Sequence, residues 1–300
     1  MSINEEKNYS MITLILSGGL GNQMFEYAAG RALSLRHKTD LHIDLYILNK
    51  KTKATIRNYE LIVFQIETHI IKSNLNKIAA KGFGFLKSNS LGRMFLNNIG
   101  IFRDEKAQCY DSRFKDLSEK TTLFGYFQNE NYFKGISKQL RIDFTFKAPL
   151  KGKNDEIRTV IEQNTSVSIH IRRGDYSNSN SNLPILDISY YKKAIEHIAS
   201  QVNKPYFFIF SDGIDWVKEN LDLSKFNHQF IDWNKNENSY IDMQLMSICK
   251  HNIIANSSFS WWAAWLNANP NKLVIAPDKW YKGDNGKYPD GFLPKEWTTL

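Results

Sequence analysis

Three hundred residues, 42% of them hydrophobic and 13% aromatic, provide for a large core, exclude a globally disordered chain and, at about 150 residues per domain, favour two domains. The formal net charge of +8 attracts anions, but lysines and arginines are scattered, with short clusters only at Lys50, Lys51, Lys53 and at Lys192, Lys193. No basic run tracks a phosphate backbone, which speaks against nucleic acid as a partner. Two distant cysteines, Cys109 and Cys249, exclude a disulfide framework or a CxxC metal site, and no apolar stretch reaches the ~18 residues of a membrane span.

The first ten residues are polar and carry Glu5 and Glu6, unlike a signal peptide, so a cytosolic chain is expected. A strand is predicted at 11–16, then a turn through Ser17, Gly18, Gly19 and Gly21. An amphipathic helix follows at 22–37, with Phe25, Ala28, Ala29, Ala32 and Leu35 at helical spacing, and a second strand at 41–46. This β-α-β opening starts a parallel sheet. Periodicity does not order 50–118. The polar segment 147–156 is the candidate linker. Beyond it, strands at 167–171, 206–211, 229–233, 252–255 and 273–276 alternate with helices at 187–200, 215–221, 239–250 and 260–268. That alternation predicts a doubly wound sheet with ligands at the carboxyl ends of its strands. The expected architecture is α/β, two facing Rossmann-like domains with a cleft between them, divided into 1–155 and 156–300.

Four constellations carry chemistry. On the strand at 167–171, Val167, Ile169 and Ile171 alternate with Ser168, His170 and Arg172, so His170 and Arg172 share a face at the strand's carboxyl end. Arg172 offers a planar fork that matches pyrophosphate; the alternative is a structural ion pair between Arg173 and Asp175. Second, Asn256, Ser257, Ser258 and Phe259 follow an apolar strand and open a helix, an anion site by geometry, whereas Trp261, Trp262 and Trp265 suit core packing. Third, Ser239 and Asp242 have capping-box spacing, which explains Asp242 as a helix-start residue; near His170 and Ser258 its carboxylate could instead accept from the N1 and N2 donors of guanine. Fourth, Gly18, Gly19, Gly21 and Asn22 resemble a dinucleotide fingerprint until Met24 occupies the third glycine position; a close approach to phosphate or sugar and a mere tight turn both fit. No Asp-x-Asp triplet is present to chelate a metal on a nucleotide-sugar.

The segments GGLGNQMFEYAAGRAL, FGYFQNENYF, HIRRGDY, FSDG and MQLMSICKHNIIANSSFSWWAAWL together resemble the α-1,2-fucosyltransferases of glycosyltransferase family 11, and they run through nearly the whole chain. The resemblance implies a GT-B-like fold and inverting transfer of fucose from GDP-β-L-fucose to the 2-hydroxyl of a terminal galactose, with no metal cofactor. By the same resemblance Arg172 holds the β-phosphate, His170 and Asp242 contact guanine, and Ser257, Ser258 and Phe259, with Asn256 before them, close over the nucleotide. Gly21 and Asn22 face the donor from the first domain. Tyr126, Phe127 and Gln128 are the candidate acceptor contacts, with a core role the alternative. Asp175, Asp212 and Glu26 are candidate bases, Asp175 and Arg172 forming the catalytic pair and Asp212 also lying in the donor site. Lacking the membrane anchor of the animal members, the chain resembles the bacterial type acting on a surface polysaccharide at the cytosolic face. The acceptor is then a galactose-terminated oligosaccharide, lipid-linked or free, and the positive charge suits peripheral contact with the inner membrane. The rivals are an NAD-dependent enzyme, suggested by the glycine loop and Asp44, and a non-catalytic carbohydrate-binding protein.

Overall fold

The computed structural model describes residues 10–48, 57–71, 100–104, 106, 108–173, 183–283 and 287–300. They form two compact units, one running up to Thr145 and including Pro289–Phe292, the other comprising Phe146–Tyr288 and Leu293–Leu300.

The first unit opens with β1 (Met11–Ile15), α1 (Leu20–His37) and β2 (Asp40–Asp44), the predicted β-α-β start. Past a 3-10 turn at Leu61–Val63 come β3 (His69–Ile71), β4 (Ile101–Arg103), β5 (Thr122–Phe124) and α2 (Ser137–Asp143). All pairings are parallel in the order β3-β2-β1-β5-β4, so β1 lies inside the sheet, with Ile12, Leu14 and Ile15 buried. Such a strand reads as a continuous apolar run because both faces are covered. Helix α1 ends at Lys38 in a left-handed cap whose N–H reaches the carbonyls of Leu35 and Ser34. Its last turn sends Arg36 to the Phe114 and Lys115 carbonyls, so the basic cluster ties the helix end to a neighbouring loop. Tyr27 and Arg31 both donate to Asp143, joining α1 to α2.

The second unit contains α3 (Lys153–Gln163), β6 (Thr165–Ile171), α4 (Ile188–Gln201), β7 (Pro205–Ser211), α5 (Ile214–Asn220) and β8 (Asn227–Ile231). It continues through α6 (Tyr240–Ile248), β9 (His251–Ile253), α7 (Ser258–Leu266), β10 (Val274–Ala276) and β11 (Thr298–Thr299). The strands are parallel in the order β11-β10-β9-β6-β7-β8. Val167, Ile169 and Ile171 pack with Tyr191, Ile195 and Ile198 of α4. Each such side chain, wholly withdrawn from water, contributes about 1.5–3 kcal/mol.

Among the described strands the direction of travel reverses once in each sheet. In the second it reverses between β6 and β9: the chain moves outward through β7 and β8, then returns to the other side of β6. In the first it reverses between β1 and β5. In open α/β sheets ligands collect outside the carboxyl ends of the strands at such points.

Two elements differ from the sequence reading. The polar segment 147–156 runs into α3, whose Ile157 and Ile161 are buried one turn apart and whose first turn carries Asp155 and Glu156. Residues 146–155 accordingly belong to the second unit. The second sheet also gains β11, formed by two exposed threonines that no hydrophobic pattern marks.

Candidate active site

At the reversal point of the second unit, β6 delivers His170 and Arg172. Ser166, Ser168 and His170 line the face of β6 opposite the core cluster and are all buried. Ser166 and Ser168 are bonded by Lys250 N–H and Asn252 Nδ2, leaving His170 at the carboxyl end. His170 is 5% exposed, its Nδ1 has no hydrogen-bond partner among the described residues, and its ring lies 5.7 Å from that of Phe259. Burial, reinforced by the Arg172 charge, pulls it down to about 4, so the ring is neutral at physiological pH.

Arg172 is held from the side. Its Nε lies 3.1 Å from Asp212 Oδ2 at the end of β7, while Asp212 Oδ1 accepts from Arg173 N–H at 2.7 Å. The Arg173 guanidinium stacks 3.5 Å over the Trp216 ring. Asp212 is thus engaged by its neighbours through both oxygens, which suits an orienting group for Arg172 better than a base. Asp175, and with it the alternative Arg173–Asp175 pair, lies outside the described residues.

The register Ile169↔Ile253 sets the loop after β9 beside that after β6. Ser257 is the N-cap of α7, without a side-chain capping bond, and the amides of Ser258, Phe259 and Ser260 begin the helix. First-turn amides have no intrahelical acceptor and present positive charge. Asn256 does not point out with them. It is 1% exposed and its Nδ2 donates to the Pro184 and Trp280 carbonyls, so it anchors the neighbouring loops. Trp261, Trp262 and Trp265 are core.

On α6, packed beside α7, the expected capping box is not formed: Ser239 makes no side-chain cap bond. Asp242 Oδ1 instead accepts from Asn234 Nδ2 at 2.8 Å, and Asn234 is paired with Asn154. Burial pushes the Asp242 carboxyl up to about 7.

At the reversal point of the first unit, Gly18 (φ +70) allows the chain to turn beneath Asn22: a Cβ on Gly18 would lie 2.6 Å from Asn22 Nδ2. The helix N-terminus behind this loop is already served. Leu20 N–H donates to Glu60 Oε2 at 3.0 Å, and Gln23 bridges the Gly18 and Asn58 carbonyls and the Glu60 amide. A carboxylate of the chain itself therefore occupies the position a phosphate takes in a dinucleotide fold, and it lets α1 begin two residues before the predicted start. Gly21 is buried within the first turn, and Met24 is buried in the core. Glu26 is fully buried, accepts from Ser17 N–H and Oγ–H, and burial raises its pKa well above the usual carboxylate range.

The three candidate acceptor residues separate. Tyr126 is 41% exposed, with its hydroxyl in hydrogen-bonding reach of Ser17. Phe127 is wholly buried, with φ 48, and packs against Phe102, Phe114 and Tyr132, so it is core. Gln128 is 6% exposed and its Nε2 donates to Asn22 Oδ1 at 2.9 Å. Asp104, pushed up to about 6 by burial, shapes this turn by accepting from Phe127 N–H at 2.8 Å. Glu60, Gln23, Asp104 and Asn234 were not anticipated, because each acts through a contact distant in sequence or inside a loop.

The profile of the glycosyl transferase family 11 matches residues 2–300. The chain belongs to this family. Family 11 relatives include the Escherichia coli O-antigen biosynthesis glycosyltransferase WbnK, 32% identical over 287 residues, which are 90% of this chain and 95% of that one. An α-1,2-colitosyltransferase of Escherichia coli is 33% identical over 97% of this chain and 99% of its own. Human galactoside α-(1,2)-fucosyltransferase 1 is 27% identical over 157 residues, 48% of this chain and 42% of that protein. In fold, the family 11 chain is similar to Arabidopsis thaliana FUT1 in complex with GDP, with a TM-score of 0.54 and 10% identity over 97% of this chain and 76% of that one. The NodZ α-1,6-fucosyltransferase soaked with GDP-fucose gives 0.50 and 13% over 86% and 93%. Two parallel-sheet α/β units of the GT-B-like type are thus the fold of this family 11 glycosyltransferase.

Proposed function

We propose that the protein transfers L-fucose from GDP-β-L-fucose, with inversion, to the 2-hydroxyl of a galactose in a surface glycan of the O-antigen kind. The observation that carries this reading is the second unit's reversal point. There Arg172, braced by Asp212, and the first amides of α7 meet a neutral His170, while on α6, packed against α7, the Asp242 carboxylate has one oxygen still to offer. A fork and a helix N-terminus suit a diphosphate; a carboxylate suits the paired N1 and N2 donors of guanine.

As the fucose C1–O bond breaks, the electron pair passes to the β-phosphate oxygen, and Arg172 with the Ser258 and Phe259 amides meets that charge. The acceptor hydroxyl forms the new C1–O bond on the opposite face, and its proton passes to solvent water as GDP departs. The diphosphate charge is met by these protein groups alone, so transfer proceeds without a metal. The first unit serves the acceptor: with Glu60 filling its helix N-terminus and the Arg57 guanidinium beside Glu60, the charges at the glycine loop answer one another and the loop suits an uncharged sugar, against which Tyr126 offers an aromatic face. Its acceptor is an oligosaccharide, lipid-linked when the protein is at the membrane, and the +8 charge supports peripheral contact with an anionic leaflet. Among the described residues no helix is long and apolar enough to cross a membrane.

A second donor is favoured by one observation, the 33% identity to an α-1,2-colitosyltransferase. Colitose is L-fucose without its 3-hydroxyl, so competition between GDP-fucose and GDP-colitose at equal concentration tests the choice. The proposal expects fucose to be transferred at least as fast; exclusive colitose transfer would replace the donor and keep the site.

A further inference from the structure

The only described contact of the Asn22 side-chain oxygen is Gln128. Gln128 Nε2 donates to Asn22 Oδ1 at 2.9 Å, whereas Asn22 Nδ2 lies over Gly18 and has no hydrogen-bond partner among the described residues. Gln128 is itself carried on a fixed backbone. It is 6% exposed, it follows a residue in the left-handed region, and the preceding turn is pinned by the Asp104 carboxylate on Phe127 N–H. Gly125 (φ +141) belongs to the same device, since a Cβ there would lie 2.6 Å from Asp104 Cβ. An asparagine amide has two nearly equivalent orientations, with oxygen or nitrogen outward, and little but a neighbour's donor chooses between them.

We infer that Gln128 is a positioning residue: it locks the Asn22 amide with its oxygen inward and both Nδ2 protons outward, so that the first unit's reversal point presents a fixed donor to a ligand oxygen. Gln128 does this from behind Asn22 and is no acceptor contact itself. The matching ligand group is a sugar hydroxyl or ether oxygen acting as acceptor. The inference deepens the proposed function, on which its transfer assay rests.

Two substitutions at one position separate orientation from packing. Gln128→Met keeps the volume and removes the donor, leaving Asn22 free to turn; transfer kcat/KM should fall about 2-fold, the penalty of an unbiased two-fold torsion. Gln128→Glu presents only acceptors, so Asn22 turns its Nδ2 inward and its oxygen out; kcat/KM should fall about 100-fold, the scale of losing one preorganised donor. Asn22→Asp keeps the bond from Gln128 and removes the outward donor, and should match Gln128→Glu. Thermal melts check that the three variants are folded. A glutamate variant as active as the methionine variant, or an Asn22→Asp enzyme at the wild-type rate, overturns the inference. If the wild-type protein transfers no sugar, the proposed function fails and side-chain amide hydrogen exchange still tests the geometry. Slow exchange at Gln128 Nε2 with fast exchange at Asn22 Nδ2 supports the inference, and the reverse order overturns it.

Discussion

Replacing Asp212 by asparagine removes one charge and almost no volume from the donor site. The pair it forms with Arg172 spans 3.1 Å, and the two side chains are 26% and 27% exposed. Solvent screening at that exposure limits its worth to stability to about 1 kcal/mol or less. An asparagine can still accept from Arg173 N–H, so Tm should drop by no more than about 4 °C in a chain of this size. The catalytic effect is larger, because Arg172 loses the partner that aims it. Removing one preorganised contact to a developing charge costs about 10²–10³ in kcat, and misaiming one without removing it should cost about 10–100-fold. The assay measures GDP release from GDP-fucose with and without a galactoside acceptor. An Asp212 that orients Arg172 acts on the leaving group, so transfer and slow donor hydrolysis should fall together. Transfer falling alone, with hydrolysis intact, would make Asp212 the base for the acceptor hydroxyl and refute the orienting role. A variant within a factor of about 3 of wild type would refute both.

Three further outcomes follow from the same geometry. Asp242 is held up at about 7 by burial, so the ionised form that guanine needs is present above that pH and lost below it. GDP affinity measured by calorimetry should weaken about tenfold per unit on the acid side, and Asp242→Asn should abolish that slope. Phe127→Ala empties a wholly buried site and should cost about 3–5 kcal/mol in denaturant titration, whereas a surface acceptor contact would raise KM with stability unchanged. Glu60→Ala frees the Leu20 N–H and should cost about 1 kcal/mol while making transfer newly sensitive to inorganic phosphate; unchanged phosphate inhibition would contradict its role as a built-in anion.

Much of the second unit was legible because each strand–helix pair carries its own period: Val167, Ile169 and Ile171 alternate, and Tyr191, Ile195 and Ile198 recur at helical spacing. His170 and Arg172 stood out because polar side chains on a central parallel strand need a reason. What escaped depends on contacts that no local pattern encodes. On sequence alone Phe127 suits a sugar contact or the core, and its inward direction comes from a left-handed backbone and the Asp104 bond. Asn256, in a serine-rich turn, reads as a ligand contact until the Pro184 and Trp280 carbonyls are seen to claim its amide. Helix α3 hid behind a polar surface, two buried isoleucines being too few to mark it.

The most direct measurement incubates the purified protein with GDP-fucose and lactose in excess EDTA and identifies the product by mass and linkage. The proposed function predicts fucose linked α-1,2 to galactose with one GDP released per transfer. A different linkage, a requirement for added metal, or no GDP release would contradict it.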